Sequence, residues 1–187
     1  MPLGAARFGL LGGVADLGKL ELIETKDLSS VSSATFTDIK ENEYNVHFLT
    51  LNNFSVSTYN EFCAIRLFEN GVEETASVYQ FAYQYNEATG GNAESKSTTG
   101  SAFRGSFSLA TGTNYVSNSY SYFYNLGDST KYSFHTVHSS GMLTSLNFRT
   151  YFGSSVLPQA STVDQIKLFV SSGTFSATAS LYGIAES

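Results

Sequence analysis

One run constrains the fold more than any other: Val78-Tyr79-Gln80-Phe81-Ala82-Tyr83-Gln84-Tyr85, in which four rings fall on alternate positions. Side chains of an extended strand flip sides at every residue, so Tyr79, Phe81, Tyr83 and Tyr85 share one face. The same spacing would scatter them around a helix. The period of two recurs along the chain. Tyr44, Val46 and Phe48 share a face, with His47 on the other. Phe62 to Phe68 alternates Cys63, Ile65 and Leu67; Tyr120, Tyr122 and Tyr124 alternate with Ser119, Ser121 and Phe123. Shorter strands are predicted around Leu20 and Leu22, Phe36 and Ile39, Phe103, Phe107 and Leu109, Tyr132 and Phe134, and Leu146 and Phe148. Asp164 to Val170, with Ile166, Leu168 and Val170 on one face, is expected to pair with a strand ending Ser180 to Ile184 through a turn at Gly173. No stretch has a helical period, unless residues 1–17 hold a turn or two.

Punctuation between these runs divides the chain into short pieces. Asn70-Gly71 is a favoured hairpin pair. Residues 86–100 form the longest polar stretch and are expected to be a solvated surface loop. Ser139-Ser140-Gly141 is expected to be a turn, and residues 153–162, with Pro158, a connection. The count is roughly eight to ten strands at 8–12-residue spacing, the pattern of a sandwich or barrel. Periodicity alone does not separate a jelly roll from an immunoglobulin-like order. No repeat of 20–50 residues points to a solenoid or propeller.

Composition narrows the class. Aromatic residues are 14% and charged residues 14%, which is the balance of a folded β protein, since disorder goes with fewer rings and more charge. The net charge is -6 and no basic cluster exists, which disfavours nucleic acid as a partner. The single cysteine, Cys63, permits no intrachain disulfide and reads as a small buried hydrophobe. No run supplies the about 20 apolar residues of a membrane span, so no membrane role is expected.

Residues 1–17 stand apart from residues 18–187, which form the β domain. Leu3, Phe8, Leu10 and Leu11 lie among glycines that disfavour a helix, yet they are too apolar for a solvated tail. The segment reads as an extended N-terminal arm whose Leu3, Phe8, Leu10 and Leu11 dock on a neighbouring subunit. The competing account is a segment packed on its own domain. A signal peptide is not expected, because the basic leading region is missing and glycines interrupt the apolar run.

No catalytic constellation is evident. His135 and His138 point to opposite faces of one strand and cannot clamp a metal, and the three histidines are read as ordinary surface or interface residues. No Gly-x-Ser-x-Gly elbow occurs, and Glu73-Glu74 is a solvated pair after a turn rather than a glycosidase dyad. No enzyme activity, cofactor or metal is therefore expected. The tyrosines allow several readings. Tyr79, Tyr83, Tyr120 and Tyr122 (with Tyr124) are first a consequence of sheet propensity and core packing, second a subunit contact, and third a face for stacking sugars.

The strand Ile166-x-Leu168-x-Val170, its glycine turn and the closing Ser180-Leu181-Tyr182-Gly183-Ile184 resemble the end of jelly-roll virion proteins of tailed bacteriophages, of the marine and cyanophage type. The opening Met1-Pro2-Leu3-Gly4-Ala5-Ala6-Arg7-Phe8-Gly9-Leu10 is similar to the start of phage structural proteins. The motifs cover only the two ends of the chain. The resemblance implies an all-β, jelly-roll-like antiparallel β-sandwich with an extended N-terminal arm. It implies a capsid decoration or cement protein, a trimer assembled in the host cytoplasm and carried in the virion, with the major capsid protein or other virion proteins as partners. The alternative is a short tail fibre or spike tip that binds host surface glycan.

Overall fold

The computed structural model describes residues 19–108, 111–112, 114–143 and 147–185. The predicted arm, with Leu3, Phe8, Leu10 and Leu11, lies outside the described residues, as do Leu109 and Leu146. The described residues contain thirteen strands and no helix: β1 (Leu20–Val31), β2 (Ser33–Phe36), β3 (Val46–Val56), β4 (Glu61–Glu69), β5 (Val72–Glu73), β6 (Tyr79–Glu87), β7 (Asn92–Gly100), β8 (Phe103–Ser108), β9 (Ser117–Tyr124), β10 (Tyr132–Met142), β11 (Phe148–Ala160), β12 (Val163–Phe169) and β13 (Phe175–Ile184). They form two antiparallel sheets, so the chain is an all-β sandwich.

The larger sheet has the order β1-β13-β3-β9-β10-β11-β6-β7. The smaller has the order β2-β12-β4, with the far side of β4 shared between β8 and the short β5. Four pairings nest inside one another: β1 with β13, β2 with β12, β3 with β9, and β4 with β8. Successive pairs alternate between the sheets, which is the double Greek key of a jelly roll. The remaining strands are insertions. β5 to β7 lie in the connection from β4 to β8, and β10 and β11 in that from β9 to β12. Together β10, β11, β6 and β7 extend the large sheet by four strands beyond the jelly roll.

The core follows from alternation. Cys63, Ile65 and Leu67 of β4 and Ile166 and Leu168 of β12 are wholly buried against Leu49, Leu51, Phe123, Ala179 and Leu181 of the large sheet. Burial pushes the Cys63 thiol up to about 12, so it is inert while the protein stays folded. A second, smaller cluster of Tyr83, Phe107, Val137, Leu143 and Tyr151 sits under the extension.

Several expectations are corrected. The two last strands do not pair: β12 belongs to the small sheet and β13 to the large one, between β1 and β3. The turn at Gly173 (φ +71) carries the chain across the sandwich rather than around a hairpin, and a side chain there would run into Ser57 and Thr58. The polar stretch 86–100 is not a loop: residues 92–100 are β7, an edge strand hydrogen-bonded to β6. It has no deeply buried face, so no hydrophobic alternation marks it; Glu94 and Lys96 on this open edge discourage pairing with another chain. Ser139-Ser140-Gly141 lies inside β10, and residues 153–160 lie inside β11. Pro158 is tolerated there because it falls past Val156, the last residue that β6 pairs. The Asn70-Gly71 hairpin forms as expected, with φ of 51 and 81 joining β4 to β5.

Candidate contact surface

The outward face of the large sheet is built by register. Leu22, Tyr182, Phe48, Tyr122, Thr136, Ser154, Ala82 and Lys96 stand directly opposite one another, strand by strand, from β1 to β7. A parallel row runs Leu20, Ile184, Val46, Tyr124, Phe134, Val156 and Gln80. Over the jelly-roll strands these rows are almost entirely apolar or aromatic. Phe48 is the hub, with ring centroids 4.8 Å from Tyr122 and 6.1 Å from both Tyr120 and Tyr182. Tyr120 meets Tyr122 edge-on at 6.2 Å and His138 at 5.4 Å. Such ring pairs favour tilted and edge contacts because of their quadrupoles. Despite this mutual packing, Leu22 remains 59%, Leu20 50% and Tyr120 43% exposed.

The outward face of the small sheet is different in kind. It carries Arg66, Lys167 and Glu73, with the Glu73 carboxylate 3.1 Å from Arg66 and 2.8 Å from Lys167. Burial works against the charge of Glu73, yet its bonds to Lys167 and Arg66 hold its carboxyl below the usual range. The two outer surfaces of the sandwich thus differ: on the small sheet the charges overlie the rings, with the Arg66 guanidinium 4.7 Å from the Phe169 ring centroid.

The four tyrosines singled out by sequence divide. Tyr120 and Tyr122 belong to the aromatic face. Tyr79 and Tyr83 are buried, and as surface contacts they are corrected. Tyr79 accepts the Leu67 N–H at 3.1 Å and donates to the Glu74 carbonyl at 3.2 Å. Tyr83 is hydrogen-bonded to Ser155 and accepts the Arg104 N–H at 3.1 Å. Burial raises both hydroxyl pKa values. Their alternation marks the inner face of β6, which is why the same pattern that identified the strand does not identify a surface.

His47 and His135 are likewise not surface histidines. His47 is wholly buried, its Nε2 2.7 Å from the Ile39 carbonyl oxygen. His135 is wholly buried, stacked on Phe103 at 5.0 Å, with Nε2 3.1 Å from Ser121 and Nδ1 3.3 Å from Ser155. Burial lowers its pKa to about 3, so it is neutral in the folded protein. Ser106 bonds to Ser117 at 2.9 Å and to Ser139 at 3.1 Å, continuing a buried polar seam beneath β9 and β10. Serine and histidine do meet here, but in a closed interior where no substrate reaches them, and neither bond of His135 goes to a carboxylate. Among the described residues no three His, Cys, Asp or Glu side chains gather into a metal cluster.

No family model, curated protein or solved structure matches the chain.

Proposed function

We propose that the chain is a structural protein of a phage virion: a capsid decoration protein that acts without catalysis, assembles as a homotrimer and stabilises the head by binding the major capsid protein. The observation that carries the assembly reading is the aromatic outer face of the large sheet, built by Leu22, Tyr182, Phe48, Tyr122 and Tyr120. A contiguous exposed patch of this kind is a mark of protein contact, whereas isolated exposed hydrophobics are ordinary. Tyrosine and phenylalanine are enriched in interface cores. The virion setting is drawn from the resemblance of the two ends of the chain, with which the jelly-roll order agrees. A protein that binds the assembled shell and not its parts stabilises it by mass action.

The test has two arms. Light scattering of the purified protein is expected to give a trimer, and Phe48→Ser with Tyr122→Ser a folded species of lower mass. A monomer with both rings intact overturns the trimer. Antibody against the β6–β7 hairpin is expected to label intact phage particles over the head. Labelling confined to the tail moves the assignment to a fibre or spike tip, and particles without label, whole or disrupted, remove the virion reading.

A further inference from the structure

The four-strand extension carries a second surface on the same outer face, and its chemistry differs from that of the aromatic half. Phe134 on β10 and Phe152 on β11 are 45% and 40% exposed. Phe134 stands opposite Val156, and Phe152 opposite His138. The two rings are therefore four residue steps apart, roughly 14 Å along the strands. Between them lies the row Thr136, Ser154 and Ala82, none larger than threonine, which makes a floor flanked by a ring at either end. The far wall is polar: Lys96 opposite Ala82, Gln84 opposite Phe152, Glu94 opposite Gln84, and Gln80 opposite Val156. Two adjoining depressions share Ala82 and Lys96, one of about 590 Å³ beside Phe134 and one of about 300 Å³ beside Phe152. Both are open grooves on the sheet surface, lined mostly by apolar atoms, with the polar groups at their rim.

We propose that this trough binds a neutral oligosaccharide. An exposed phenyl face accepts the C–H groups of a sugar ring through its negative quadrupole. The amide, carboxylate and ammonium groups of Gln80, Gln84, Glu94 and Lys96 supply both donors and acceptors for hydroxyls. The charge balance selects against ions: the Lys96 ammonium is 2.7 Å from the Glu94 carboxylate, so the wall presents no net charge. The spacing of the two rings suits a chain of linked sugars better than a single ring. The inference goes beyond the assembly reading and is independent of whether the chain sits on head or tail.

The test is titration of the purified full chain with a panel of neutral gluco-, galacto- and manno-oligosaccharides of two to four units, followed by amide chemical shifts. Saturable binding is expected for at least one series, with shifts confined to β6, β7, β10 and β11. Phe134→Ala and Phe152→Ala are each expected to weaken it about tenfold or more, which is about 1.4 kcal/mol. Ala82→Trp fills the floor from the solvent side and is expected to abolish binding without lowering the melting temperature. Phe48→Ser with Tyr122→Ser is expected to change assembly but not sugar binding, which separates the two surfaces. No saturable binding across the panel, or binding that survives Ala82→Trp, overturns the proposal.

Discussion

The jelly-roll half of the large sheet and its four-strand extension differ in what their inner and outer faces carry. In the jelly-roll half, β3 and β9 turn Phe48, Tyr120 and Tyr122 outward and pack Leu49, Leu51 and Phe123 against aliphatic side chains of the small sheet. In the extension, Tyr83 and Tyr151 face inward, and the outer face sets the separate rings of Phe134 and Phe152 on either side of the small residues Thr136, Ser154 and Ala82. The difference follows from what lies beneath. A second sheet supplies Ile65, Leu67, Ile166 and Leu168 to seal the first half. The extension is covered instead by Phe62 and Phe107 and by two guanidinium groups: Arg149 lies 4.0 Å from the Tyr85 ring centroid, and Arg104 4.4 Å from that of Phe62. Rings that can be stacked by arginine and hydrogen-bonded at their hydroxyls suit a thin cover, where a purely aliphatic cluster would meet water. Arg149 is also held by Glu87, its Nε 2.9 Å from the carboxylate.

The comparison can be broken by stability measurements. The largest effect is expected in the two-sheet core: Leu49→Ala opens a cavity where little can collapse and should cost about 2–5 kcal/mol, read as a lower urea midpoint. Next is the seam between the halves. His135 is neutral when folded, with a pKa near 3, and titrates near 6.5 when unfolded. The unfolded state therefore binds the extra proton, and stability falls as pH drops through 6.5 toward 3. The loss should be about 2 kcal/mol at pH 5 relative to pH 8, and His47, whose pKa burial also lowers, adds in the same direction. Urea curves at pH 8, 6 and 5 measure it; a flat profile would show that His135 is hydrated. Third is the extension core, where Tyr83→Phe removes the bond to Ser155 and leaves the Arg104 N–H unanswered, for about 1–3 kcal/mol. Smallest is the edge: Lys96→Ala should stay within about 0.5 kcal/mol. Hydrogen exchange sharpens the same contrast, with β7 amides expected to exchange well before those of β3 and β13. Equal protection across the large sheet would mean that the extension is not a separate unit of stability.

Strand positions were largely legible in the sequence, because alternation survives whichever face is buried. Which face is buried was not. In β9 the rings of Tyr120 and Tyr122 point outward while Ser117, Ser119 and Ser121 are buried. In β3 the Val46 and Phe48 face is the outer one, and the face holding His47 is the core. A strand with one apolar and one polar face ordinarily tells inside from outside, but a sheet with an apolar outer face removes that signal. The strand β7 was hidden for the converse reason, having no deeply buried face at all. The trough is not legible in the sequence because it depends on register: Phe134, Ala82 and Lys96 are neighbours only once β10, β11, β6 and β7 lie side by side.

The nested pairing has a consequence for synthesis. β1 and β13 are partners across about 155 residues, as in the Thr25–Ser180 contact. At roughly 5–20 residues per second, a ribosome holds β1 without its partner for roughly 8–30 s. For that interval β1 is an open strand beside other growing chains. Its charged residues Glu21, Glu24, Lys26 and Asp27 keep such a strand from joining the wrong neighbour while it waits.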